Sequence, residues 1–230
     1  MRICHVLETS GGGSGRVVYE LARHGLENGD DVTIIYAPDR ADPSYVSLLA
    51  SLADLRLFSC PMQRKIGLRD IIDAWNLYRL IRTEGPFDII HGHSSKAGAL
   101  SRIAGIFLPG TVIYTPHGFY SMMPNASRLY GAIEWILSWL TPCIISVSQG
   151  EFRHSEQLGI LKSKLYLVPN GTTPHFASSR ALTRQALGIE DNCTLFGFVG
   201  RMEPQKNPLR AITAPSVVNT KVRTGIFIKQ

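Results

Sequence analysis

Short runs rich in Ile, Val and Leu recur along the chain, separated by longer stretches in which apolar residues return every three or four positions. The first pattern suits a strand buried on both faces, the second a helix with one apolar stripe. Seven such runs, at residues 2–7, 31–37, 55–59, 87–92, 111–115, 143–147 and 164–168, alternate with helical segments. That alternation predicts an α/β domain built on a doubly wound parallel sheet. Residues 16–28 place Val17, Val18, Leu21, Ala22 and Leu26 on one stripe, and residues 68–82 place Leu68, Ile71, Ile72, Trp75, Tyr78, Leu80 and Ile81 mostly on another. Both stripes are expected to face the core. Residues 131–148 are apolar enough to raise the question of a membrane span, but Glu134 lies inside the segment and Pro142 divides it. An amphipathic helix followed by a buried strand is predicted instead, with Trp135 and Trp139 on one helix face in the core.

After Asn170 the pattern changes. Residues 1–172 read as one domain, residues 173–192 as a polar linker with a short helix over 180–187, and residues 193–230 as the start of a second domain whose first strand is 194–199. A helix beginning near Pro208 meets Pro215, and only 15 residues follow, too few for another full strand–helix–strand unit. The expectation is a doubly wound sheet with a truncated start of a second Rossmann-like domain, ending in a tail without acidic residues.

Composition narrows the function. The chain of 230 residues is 44% hydrophobic and 18% charged, which excludes a disordered or collagen-like protein. Its net charge of +6 is unevenly placed: residues 1–200 hold 18 Lys and Arg against 17 Asp and Glu, residues 201–230 hold 6 against 1. The body has no basic stripe, so nucleic acid is not an expected partner. Cys4, Cys60, Cys143 and Cys193 show neither disulfide nor zinc-ligand spacing, and the apolar start MRICHVLE is too short for a secretory signal. A cytoplasmic protein with reduced thiols is expected, and peripheral contact with a lipid surface stays open.

The chemistry-bearing residues follow the strands, where an α/β sheet binds its ligands. Gly11, Gly12, Gly13 and Gly15 lie between the first strand and the first helix, so the turn can bring a phosphate or other anion to free amides at the helix N-terminus. A GxGxxG fingerprint fails, with Arg16 and Val18 where glycine would be needed, and no GxxxxGK[ST] loop exists, which disfavours a nicotinamide-dependent oxidoreductase. His91 and His93 form an HxH pair without a further ligand set; one of the two is expected to be packed in the core. His117, between Pro116 and Gly118, takes the place of a crevice residue. Glu151 suits a helix first turn, Asn170 with Gly171 suits a tight turn, and Arg201 with Lys206 could bring two cations to a diphosphate.

The segments GGGSGR, DIIHGHSSKAG, TPHGF, VSQGE, LVPNG and GRMEPQKN, in this order, resemble GT-B glycosyltransferases of the retaining, family-four type over residues 1–208. The resemblance implies two Rossmann-like domains, an acceptor side on the first and a nucleotide-sugar side on the second. It implies Gly12, Gly13, Arg201 and Lys206 near the donor phosphates and His117 facing the transferred sugar, with Ser14, His93, Ser95, Lys96, Glu151 and Asn170 as acceptor-side or crevice residues. The expected partners are a nucleotide-sugar donor and a glycan or lipid-linked acceptor. No cofactor and no metal are expected, since the sequence holds no DxD. The acidic segment of the second domain would lie beyond residue 230, so a shortened form is expected; a non-catalytic acceptor-binding remnant is the alternative reading.

Overall fold

The computed structural model describes residues 1–8, 12–63, 66–123, 125–171, 179–190, 194–199, 207–213 and 222–227. The chain divides into two compact units, Met1–Gly171 and Thr172–Gln230.

In the first unit the strands are β1 (Arg2–Leu7), β2 (Asp31–Tyr36), β3 (Arg56–Ser59), β4 (Ile89–His93), β5 (Thr111–Thr115), β6 (Cys143–Ser146) and β7 (Leu165–Leu167). They form one parallel sheet in the order β3-β2-β1-β4-β5-β6-β7. Between them run α1 (Gly13–Glu27), α2 (Pro43–Ala50), α3 (Arg69–Glu84), α4 (Ser95–Ala104), α5 (Arg128–Ser138) and α6 (Gln149–Gln157). This is the expected Rossmann-like, doubly wound sheet with helices on both sides. The strand period of two divides the core: Cys4, Val6, Ile35 and Ile90 join Leu77, Ile81 and Leu100, whereas Leu7, Val32 and Ile34 join Val18, Ala22 and Leu49. The strand order reverses between β1 and β4, which makes that gap the sheet's topological switch point.

Two expectations about burial are overturned. Leu68, Ile71, Ile72 and Trp75 are exposed, Trp75 by 59%, and α3 instead buries Asp73, Ala74, Leu77 and Ile81. At 3.6 residues per turn the buried set lies on nearly the opposite side of the helix from the exposed set. The apolar content of α3 wraps most of its circumference, and the choice of face falls to its partners: Asp70 pairs with Lys96 of α4, Asp73 accepts from the backbone N–H of Gln63 at 3.3 Å, and Leu77 and Ile81 fill the core. Trp135 and Trp139 do share a face of α5, with rings edge to face at 5.9 Å, but that face is outward. Glu134 and Leu137 point inward in their place. On α1 the stripe is largely as read, although Leu21 is exposed.

Glu134 turns inward because it has partners there. Arg102 of α4, fully buried, donates from Nη2 to Glu134 Oε2 at 2.8 Å and from Nε to the Gly98 carbonyl at 3.0 Å. The Tyr114 hydroxyl of β5 donates to Glu134 Oε1 at 2.9 Å, and the guanidinium lies 3.9 Å from the Tyr114 ring centroid. A buried charge is tolerable only when paired and hydrogen-bonded in this way.

In the second unit, α7 (Arg180–Ala186), β8 (Thr194–Val199) and α8 (Pro208–Thr213) fall where the sequence put them. In the tail, where no further full strand–helix–strand unit was expected, β9 (Val222–Phe227) pairs in parallel with β8.

Candidate functional site

The carboxyl ends of β1, β4, β5 and β6 carry the candidate residues. After β1, Gly12 is the N-cap of α1 with φ +83°, a conformation glycine adopts without strain. A Cβ at Gly12 or Gly13 would meet nothing within 4 Å among the described residues, and the first amides of α1 have no partner within the helix. Ser14 follows, half-buried in the first turn of α1.

After β4, Ser94 has φ +67° and starts α4. Its hydroxyl is 3.5 Å from Glu8 Oε2, and Glu8, buried, also pairs with Arg40. Ser95 is engaged with the Tyr114 hydroxyl, and Lys96 is buried in its ion pair with Asp70. These two hold α4 in place.

After β5, His117 has φ +51° and is followed by Gly118 at +99°, a left-handed pair that lifts the imidazole off the strand direction. A non-glycine residue held there costs energy that the surroundings must supply. Glu151 contributes: its buried carboxylate accepts from the backbone N–H of Val147 at 3.0 Å and from that of Gly118, while the Ser148 hydroxyl caps its own N–H. Burial raises the Glu151 pKa, and the two backbone donors oppose that rise. Glu151 thus anchors the His117 turn. Asn170 is exposed beyond β7. Arg201 and Lys206 lie outside the described residues.

The histidines form the core of the site. His91 and His93 are both buried, with ring centroids 3.9 Å apart. The expectation that only one would be packed fails because residues two apart on a strand share a face. His5 on β1 stands opposite His91 in register and joins them. His5 Nδ1 lies 3.1 Å from His93 Nε2, and His93 Nδ1 lies 3.0 Å from His117 Nε2. His91 Nε2 is 2.8 Å from the Thr115 hydroxyl. Burial depresses all four: His5 and His117 to about 4, His91 and His93 well below their ordinary value. Neighbouring imidazoles add to the depression at His91 and His93. Near neutral pH the cluster is therefore uncharged, and His117 acts as a neutral hydrogen-bonding group, with Nδ1 as the nitrogen left for a ligand. His5, His91 and His93 each bring a nitrogen within 4.8 Å of the others, so they are the described residues best placed for a metal, although ring-to-ring hydrogen bonds already engage His5 Nδ1 and both His93 nitrogens. His5 was missed in the sequence. Its signal was a polar side chain in the middle of the apolar run from Ile3 to Leu7.

A separate groove of about 440 Å³ runs between α5 and α6, walled by Arg128, Trp135 and His154 among others, and contains none of the candidate residues.

Residues 11–176 match the sequence model of Glycosyltransferase Family 4. The chain belongs to this family. Among its family relatives, UDP-Gal:alpha-D-GlcNAc-diphosphoundecaprenol alpha-1,3-galactosyltransferase of Escherichia coli is 31% identical over 191 residues, covering 76% of this chain and 48% of that protein. An uncharacterized protein in the cps region of Klebsiella pneumoniae is 31% identical over 184 residues, covering 75% and 47%. This family member thus spans about half the length of the curated relatives it matches. The fold is similar to the crystal structure of Anabaena HepE in complex with UDP and glucose, with a TM-score of 0.76 at 19% identity over 98% of this chain and 60% of that one. It is also similar to apo lipopolysaccharide outer core galactosyltransferase WaaB, with a TM-score of 0.65 at 14% identity over 99% and 68%.

Proposed function

We propose that the chain takes part in hexosyl transfer from a uridine-diphosphate sugar to a glycan or lipid-linked acceptor, with retention of anomeric configuration and without a metal. The carrying observation is that the carboxyl ends of neighbouring strands carry the α1 N-terminus, after β1, and a neutral His117, after β5, which His93 of β4 holds in a left-handed turn. The relatives support the substrate classes, one acting on a diphosphoundecaprenol acceptor with UDP-Gal and one binding UDP and glucose.

In this reading the chemistry needs two things. Negative charge builds on the leaving diphosphate, and on the first unit the amides at Gly12 and Gly13 are the donors that stabilise it. The sugar needs orientation, which a neutral imidazole at His117 supplies by a hydrogen bond to one of its oxygens. Ser14, His93, Ser95, Lys96, Glu151 and Asn170 support the acceptor side or the crevice wall, the buried ones by positioning.

The acceptor reading extends to the lipid surface. The exposed side of α3 carries Leu68, Ile71, Ile72 and Trp75 together with Arg69, Arg79 and Arg82, and α5 exposes Trp135, Ile136 and Trp139. Apolar side chains flanked by arginines suit the interface of an anionic bilayer at the cytoplasmic face. Among the described residues no helix is long and apolar enough to cross a membrane.

The test is transfer of radiolabel from UDP-galactose and UDP-glucose to a GlcNAc-diphosphoundecaprenol acceptor. An α-linked product, formed at the same rate in EDTA, is the expected result. A second reading is acceptor binding without catalysis; calorimetry showing acceptor but no donor binding selects it. Binding of neither overturns both.

A further inference from the structure

Three imidazoles run in series from β1 to the turn after β5: His5 Nδ1 to His93 Nε2 at 3.1 Å, then His93 Nδ1 to His117 Nε2 at 3.0 Å. Each ring is neutral, so each carries one N–H. His93 must donate through one nitrogen and accept through the other, which ties the three tautomers together. In one arrangement His5 donates to His93 and His93 to His117, so the His117 proton sits on Nδ1. In the other the direction is reversed, His117 Nδ1 is a bare lone pair, and the His5 proton sits on Nε2.

Burial separates the two. His5 is 4% exposed, and its Nε2 has no hydrogen-bond partner among the described residues. The reversed arrangement puts its outer N–H at this nearly closed position, where no described residue accepts it, whereas the first leaves a lone pair there, and an under-satisfied acceptor is the commoner defect. The first arrangement also puts its outer N–H on half-buried His117, where a ligand or water can accept it.

We propose that His5 and His93 are positioning residues that lock His117 as the Nδ1–H tautomer, so that it presents a hydrogen-bond donor to an oxygen of the sugar. This rests on the reading of His117 as facing the substrate, but the lock itself needs no substrate to be observed. It also explains why the strand faces at the switch point carry histidine where neighbouring positions carry Ile and Val.

Long-range ¹H–¹⁵N spectra of the histidine-labelled chain at neutral pH test it. The expected result is a protonated Nδ1 and bare Nε2 at His117, with nitrogen–nitrogen couplings across both hydrogen bonds. A bare Nδ1 or a tautomer mixture at His117, or loss of either coupling, overturns the proposal. In His5→Phe, which keeps a ring in the strand, His117 is expected to become a mixture although the two rings do not touch, and His5→Gln, whose amide N–H can donate to His93, restores the single form. If neither variant folds, the couplings in the unaltered chain decide alone. Uptake of one equivalent of Zn²⁺ that shifts His5, His91 and His93 together would overturn it in favour of a metal site. Absence of sugar transfer with the couplings present would instead reject the functional reading and leave the lock intact.

Discussion

His117 shows how a single residue acquires a role from its surroundings. Its turn is left-handed, its Nε2 is taken by His93, and burial keeps it neutral down to about pH 4. His117→Ala is expected to lower transfer about 10²-fold, as loss of one preorganised donor does, with an unchanged circular-dichroism spectrum; transfer at the original rate would remove it from the site. The buried histidines also set a pH dependence of stability. His5 is held to about 4 against an ordinary 6.5. Below pH 6.5 the unfolded chain takes up a proton that the folded chain refuses until about pH 4, so stability is complete above 6.5 and lost as pH falls through that window. The loss approaches about 1.4 kcal/mol per pH unit for this one group, and His91 and His93 act in the same direction. Urea midpoints at pH 7, 6 and 5 check it, and a flat series would show that the cluster is not buried neutral.

Between elements, the sheet holds its helices by a few contacts. Arg102, Glu134 and Tyr114 tie α4, α5 and β5, and removing one charged partner strands the other in a dry interior. Glu134→Ala is therefore expected to destabilise the fold by about 3–5 kcal/mol, read as a fall in the urea midpoint; a loss below about 1 kcal/mol would place the pair in solvent. Beside it, a Cβ at Gly98 would sit 2.2 Å from the Tyr114 ring, so α4 can lie this close only with glycine there. Gly98→Ala is expected to cost about 1–3 kcal/mol by overpacking, measured as a lower Tm. Element type and order were legible in the sequence because each buried strand writes a continuous Val, Ile and Leu run. Which side of α3 faces inward was not. Its apolar residues exceed what one contact face can cover, and Asp70 and Asp73 choose the face through partners distant in sequence.

For the whole molecule, the exposed apolar and arginine-bearing sides of α3 and α5 are the feature to test against a lipid surface. Trp75→Ser together with Trp139→Ser is expected to weaken co-sedimentation with phosphatidylglycerol-rich vesicles by about tenfold or more, from the transfer free energy of the lost apolar area. Both indoles are largely exposed, so folding should be unaffected. Binding of the double variant equal to that of the unaltered chain would assign these faces to something other than lipid.

By itself the sequence determined the alternation of buried strands and helices, hence the parallel sheet, the strand-end turns where Gly12 and His117 were expected, and the helix first turn where Glu151 was expected. Those features are local, written in period and turn residues. Only the tertiary structure decided that His5 meets His93, 88 residues away, and that His93 in turn meets His117. The strand order β1-β4-β5 creates those contacts, and it arises from how crossover helices share the two faces of the sheet, which no local pattern records.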